Sequence, residues 1–220
     1  MTFRLTGGPP SPTMKGVEPM ADASRPAAPE VAALVERARQ RDPEAFRRLF
    51  HAHLGTVHRV VRRMVGARPE VDDLVQTAFV EAFRSLPDFR GDALFSTWLT
   101  RIAVRVAWRG RRKRFPATVA TPLEETAEVA SPAPGPERVT AAREALALVE
   151  SLLDELRPKR RAAFVLHVLE GYSMEEVAAI LSASTAAVKV RVHDASRHIE
   201  RRIKQRPDWL GTLQATGAHP

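Results

Sequence analysis

Residues 95–114, FSTWLTRIAVRVAWRGRRKR, decide the fold class. Phe95, Leu99, Ile102, Ala103 and Val106 recur at three- and four-residue steps, so they share one face of an α-helix. At about 100° per residue, Trp108 falls roughly opposite Leu99, flanked by Arg101, Arg105 and Arg112. The spacing predicts an apolar face docked on a helical core and, behind it, a solvent-facing indole among guanidinium groups. No carboxylate lies between Ala93 and Leu123. Such a face suits single-stranded nucleic acid, because cations neutralise phosphates and a flat ring stacks on an unpaired base. A solvated helix face with one stray aromatic is the competing account.

Outward from this helix, composition narrows the classes. The chain has 220 residues, a net charge of +8 and no cysteine. Disulfides, thiolate metal sites and thiol catalysis are thereby excluded, and a reducing, cytoplasmic setting is expected. The basic balance, with a pI near 10.8, favours a polyanionic partner. No apolar run approaches the roughly 18 to 20 residues that span a bilayer, so no membrane insertion is expected. Residues 1–30 are rich in Pro, Ala and Gly without a compact apolar core; they read as a disordered leader in which Met14 and Met20 are alternative starts.

Two helical blocks follow, at 31–114 and 137–204, with a linker at 115–136 and a tail at 205–220. The linker carries five prolines, no lysine or arginine, and Glu124, Glu125 and Glu128. It cannot build a core and is expected to be extended and mobile. No strand-period segment is convincing, so the fold class is all-α: two small helical domains joined by a flexible linker.

In the first block, Asp42-Pro43-Glu44 is a helix start, and an apolar stripe from Phe46 to Val65 runs to a stop at Gly66. The next helix, about 69–84, turns Val71, Leu74, Val75, Ala78, Phe79, Ala82 and Phe83 inward. Its opposite face presents Asp72, Asp73, Gln76, Val80 and Arg84. In the second block, Leu146 to Leu156 form one stripe, and Pro158 restarts a helix that ends at Gly171. Ser173 and Glu176 form a capping-box pattern before a short helix. After the turn at Ser182-Ala183-Ser184, Val188, Val192, Ala195 and Ile199 face inward. Two short helices, a tight turn and a longer basic helix read as a helix-turn-helix. The outward arc of the last helix holds Ala186, Lys189, Val190, His193, Asp194 and Arg197, with Arg191 at its edge. A packing module without DNA contact is the duller reading.

Catalysis finds no support. Asp72 and Asp73 point about 100° apart, and acids at a helix start are expected from the dipole. His51, His53 and His58 complete no ligand set, and no phosphate-cradling glycine loop is present. Neither an enzyme nor a metal or cofactor is expected, nor a small-molecule substrate.

These pieces together resemble the extracytoplasmic-function group of sigma-70 family RNA polymerase sigma factors. PEVDDLVQTAFVEAFRSLPDFRG is similar to region 2.2, FSTWLTRIAVRVAWRGRRKR to regions 2.3 and 2.4, and residues 156–203 to region 4. The resemblance implies a promoter-specificity subunit of core RNA polymerase that assists promoter melting. It implies polymerase contacts at Asp72, Asp73, Leu74, Gln76 and Val80. For the −10 element it implies Trp98, Arg101, Arg105, Trp108, Arg109, Arg111 and Arg112. For the −35 element it implies Thr185, Ala186, Lys189, Val190, Arg191, His193 and Arg197. An anti-sigma factor is the further partner it implies. The chain departs from the family pattern at Arg105 (usually Asn), Arg109 (usually Asp), Ser182 (usually Gly) and Asp194 (commonly basic). A stand-alone helix-turn-helix regulator is the runner-up; it leaves the 72–84 face and Trp108 unused.

Overall fold

Asp42 Oδ1 accepts from the backbone N–H groups of Glu44 (2.9 Å) and Ala45 (3.2 Å), and Pro43 fills the first turn. This cap satisfies two of the donors that every helix start leaves without a partner. In the computed structural model, which describes residues 28–113 and 136–206, it opens helix α2 (Pro43–Val65). Gly66 ends α2 with φ +88°, a backbone conformation that side-chain-bearing residues rarely adopt. Before α2 comes α1 (Ala28–Arg39). After it come α3 (Val71–Ser85), a 3₁₀ turn at Leu86–Asp88, and α4 (Phe95–Lys113). The second block contains α5 (Pro136–Asp154), α6 (Pro158–Phe164), α7 (Met174–Leu181) and α8 (Thr185–Lys204). The stripe from Pro158 to Gly171 is not one regular helix: α6 widens into a π-helical turn at Val165–Leu169.

Among the described residues there is no strand. The leader up to residue 27, the linker from 114 to 135 and the tail from 207 lie outside the described residues, as does the side chain of Arg112.

Each helix buries the stripe its sequence offers. Leu49, Val57, Val60, Val61 and Met64 of α2 meet Val75, Ala78 and Phe79 of α3 and Leu99, Ile102, Ala103 and Val106 of α4. At about 1.5–3 kcal/mol for each large side chain fully buried, this face holds the first block together. In the second block Leu153, Ala162, Val165 and Leu166 pack with Val177, Ile180, Val188 and Ala195.

The two blocks do not stand apart: apolar residues of both join in one continuous cluster, beside a smaller one of Ala145, Leu148 and Leu152. Arg161, 1% exposed, reaches from α6 to donate through Nε to the Arg63 carbonyl, and it also pairs with Asp154. Arg111 Nη1 donates to the Met64 carbonyl at 3.0 Å. Two guanidinium groups, one from each block, thus cover the carbonyl end of α2, where the helix dipole is negative. Glu170, whose side chain is 4% exposed, takes Arg59 at 3.5 Å and Arg63, and Glu150 takes Arg62 at 2.8 Å. Thr100 and the Tyr172 hydroxyl share a buried hydrogen bond of 2.7 Å.

Candidate nucleic-acid interface

The turn between α7 and α8 is built from serines. Ser173 Oγ accepts from the Glu176 N–H at 3.1 Å while Glu176 accepts from the Ser173 N–H at 2.8 Å, a reciprocal cap that starts α7. Ser182 ends α7 in the left-handed conformation, φ +49°, where glycine is usual. Ser184 Oγ then caps α8 through the Ala187 N–H at 3.2 Å. With Val188, Val192 and Ala195 buried against α6 and α7, α8 turns Ala186, Lys189, Val190, His193 and Arg197 outward. Thr185 and Arg191 are half-buried at the edge of this arc. Val190 is 60% exposed, an apolar side chain in a cationic setting. Asp194 pairs with Arg160 of α6 at 2.8 Å.

Helix α4 carries its arginines in three different situations. Arg101 Nη2 donates to Ser182 Oγ at 2.9 Å. Arg105 and Arg109, one turn apart, both pair with Glu81 of α3, Arg105 at 3.4 Å. Arg111 is drawn inward to α2; burial, with Arg161 close by, holds its guanidinium below the usual arginine range. Its position corrects the expectation of a DNA-contacting Arg111, because the carbonyl end of α2 offers a nearer negative partner.

The expectation of a solvent-facing Trp108 is also corrected. The indole is half-buried against the core. It does lie opposite Leu99, as the phasing predicts, but that side of α4 faces the second block and not water. Thr97 donates to Glu176 at 3.5 Å, Thr100 meets Tyr172, Arg101 meets Ser182, and Val104 is 1% exposed. Trp98 is half-buried between Phe89 and Phe95, with ring centroids 5.0 and 5.6 Å away.

On α3, Asp72, Asp73, Gln76 and Val80 are exposed along one side, Val80 by 46%. Leu74 is different. It is half-buried over Gly110, where a β-carbon would meet its Cδ2 at 2.7 Å, so it seals α3 against α4. Glu81, Glu170 and Tyr172 were not singled out from the sequence. The four-residue step from Arg105 to Arg109 announces one face, but nothing in the sequence says which helix supplies its acid.

Among the described residues, no cluster of His, Cys, Asp or Glu could hold a metal ion, and no helix is long and apolar enough to cross a membrane.

The sigma-70 region 2 model matches residues 49–115, and the sigma-70 region 4 model matches residues 146–199. The ECF RNA polymerase sigma-E factor of Escherichia coli is 33% identical over 178 residues, covering 78% of this chain and 93% of that protein. The chain belongs to the extracytoplasmic-function group of the sigma-70 family. Sigma factors of this group are transcription-initiation subunits and not enzymes, and this one directs bacterial core RNA polymerase to promoters. CnrH, solved in complex with the cytosolic domain of CnrY, is 28% identical with a TM-score of 0.63, covering 80% of this sigma factor and 99% of CnrH. The sigma factor RpoE of Bartonella quintana, solved with the anti-sigma factor NepR, shares the fold at 20% identity and a TM-score of 0.55, covering 72% of this chain and 96% of that one.

Proposed function

We propose that the two blocks divide the promoter between them, in the cytoplasm where polymerase and chromosome meet. Residues 31–114 act as region 2, 137–204 as region 4 and 115–136 as the acidic spacer. Asp72, Asp73, Gln76 and Val80 of α3 take core polymerase, with Leu74 shaping that face from beneath. Helix α4 holds the separated −10 strand through Trp98, Arg101, Arg105, Trp108, Arg109 and Arg112. Helix α8 grips the −35 duplex through Thr185, Ala186, Lys189, Val190, Arg191, His193 and Arg197.

The observation that carries this reading is the division of α8 into a buried apolar side and an exposed cationic arc with small residues at its start. Small residues let the backbone approach base edges, and Lys189, Arg191 and Arg197 are long enough for phosphates or guanines. The face that Thr97, Thr100 and Arg101 give to the second block is unavailable to DNA while the blocks are together. Elements centred near −10 and −35 lie about 85 Å apart along duplex DNA, at about 3.4 Å per base pair. Reading both elements therefore calls for separation of the blocks.

An anti-sigma factor that holds the blocks together would keep this sigma factor silent, because the α4 face toward the second block would stay covered. Run-off transcription with purified core polymerase tests the whole reading. Promoter-specific transcripts that appear only when this chain is added support it; duplex binding with no effect on core polymerase would favour a stand-alone regulator.

A further inference from the structure

Asp194 is an acid on the DNA-facing side of α8, one turn from Val190 and Arg191 on one side and from Arg197 on the other. A bare carboxylate there would repel every phosphate that Lys189 and Arg197 attract. It is not bare: Arg160 Nη2 lies 2.8 Å from Asp194 Oδ2. Arg160 stands in the first turn of α6, next to Arg161, and neighbours on a helix point about 100° apart. Arg161 therefore turns inward to the carbonyl end of α2, while Arg160 reaches across to α8. A cation in the first turn of a helix faces the positive end of the dipole, so Arg160 needs an acid to hold it there.

We infer that Asp194 is a positioning residue that fixes the Arg160 guanidinium on the DNA-facing surface of α8. A guanidinium has five N–H donors, and the carboxylate engages one end of it. With its side chain 43% exposed, Arg160 keeps donors directed outward for a phosphate oxygen. The acid at position 194 recruits a cation from another helix: the pair is neutral overall, and its guanidinium comes from α6. Arg160 thus joins the −35 contacts, and Asp194 acts through it without touching DNA. This inference rests on α8 being the −35 recognition helix.

The test uses holoenzyme reconstituted from full-length chain and core polymerase, with one promoter duplex selected by the wild type from a randomised library. Affinity is measured across a salt series for Arg160→Ala, Arg160→Lys, Asp194→Ala, Lys189→Ala and the Arg160→Ala/Asp194→Ala double variant. Arg160→Ala is expected to weaken binding and to reduce the slope of log affinity against log salt by about 0.9, the value of one phosphate neutralisation. Arg160→Lys should keep that slope. The double variant should bind more tightly than Arg160→Ala, because the unmasked acid is gone, with the slope still reduced. If Arg160→Ala leaves the slope unchanged while Lys189→Ala lowers it, the inference is overturned and the reading of α8 stands. If both leave it unchanged, α8 does not face DNA, and both fail. If Asp194→Ala alters the preferred base at one position while Arg160→Ala does not, Asp194 reads a base itself, which also overturns the positioning role.

Discussion

Arg101 on α4 donates to Ser182 Oγ at 2.9 Å, so the left-handed residue at the helix-turn-helix corner also ties the two blocks together. Two opposing costs meet in that serine. A residue with a β-carbon in the left-handed region loses roughly 1–2 kcal/mol relative to glycine. A neutral partner for a guanidinium returns on the order of 1 kcal/mol. Serine in place of glycine at a left-handed corner gives up part of the local stability for a contact with α4.

The first prediction follows from that balance. In an Arg101→Ala background, Ser182→Gly should stabilise the chain by about 1 kcal/mol, because only strain is removed. With Arg101 intact the gain should shrink towards zero. Urea unfolding of the four chains of this cycle measures the difference, and equal gains in both backgrounds would mean the hydrogen bond contributes nothing.

Glu170 offers a larger effect. Its carboxylate is nearly fully buried between blocks and faces Arg59 and Arg63. Removing one partner of a buried pair costs about 3–5 kcal/mol, which is reduced here because both arginines stay partly in water. Glu170→Gln should cost about 2 kcal/mol and loosen the second block from α2. Small-angle scattering of the variant should show a larger radius of gyration. Unchanged scattering would mean the apolar contacts alone keep the blocks together.

Acid should act on two named carboxylates. The Arg37 guanidinium, then the backbone N–H groups of Ala45 and Glu44, hold Asp42 below the usual carboxylate range; Arg202, then His198, do the same for Glu155. Both pKa values are lowered in the folded state. Their stabilisation is therefore present in full above the unfolded values near 4 and is lost as pH falls through the folded ones. Asp42→Ala should lower the denaturant midpoint at pH 7, and the gap from wild type should close in acid below pH ~4. A gap that is constant with pH would mean the Asp42 charge plays no part.

Trp108 now calls for a pair of variants. Trp108→Ala removes half-buried core as well as a ring, and should cost about 2 kcal/mol of stability, below the 3–5 of a fully buried tryptophan. Trp108→Phe should hold stability within about 1.5 kcal/mol while keeping a stacking surface. Permanganate footprinting of unpaired thymines then separates folding from melting. Open complexes that survive in Trp108→Phe and fail in Trp108→Ala at a temperature where both are folded support stacking on the captured strand. Equal open-complex yields would leave Trp108 a packing residue.

Asp73→Ala together with Gln76→Ala should abolish pull-down of core polymerase with unchanged helicity, since both side chains are exposed and outside the core. Retained pull-down would remove that face from the polymerase interface.

The helices were legible because their signals are local. The Asp42 cap, the Gly66 stop and the Ser173–Glu176 box lie where the chain reads them, and the inward faces of α2, α4 and α8 follow from three- and four-residue steps. What could not be read is what covers the other side of a helix. Trp108 lies opposite Leu99 as the periodicity dictates, yet its surroundings depend on where a block beginning more than 20 residues later comes to rest. The partners of Arg105, Arg109 and Asp194 are equally non-local, since Glu81 and Arg160 reach them from helices whose approach no periodicity encodes.

The hydrogen bond between Thr100 and Tyr172 has an optical consequence. Tyr172 is the chain's one tyrosine, and two of its three tryptophans, Trp98 and Trp108, lie on the helix that Tyr172 touches. Energy transfer from a phenol to an indole falls steeply with distance, so parting the blocks is expected to raise tyrosine emission in the isolated chain. The isolated, unlabelled sigma factor thus offers an optical readout of whether its two blocks are in contact.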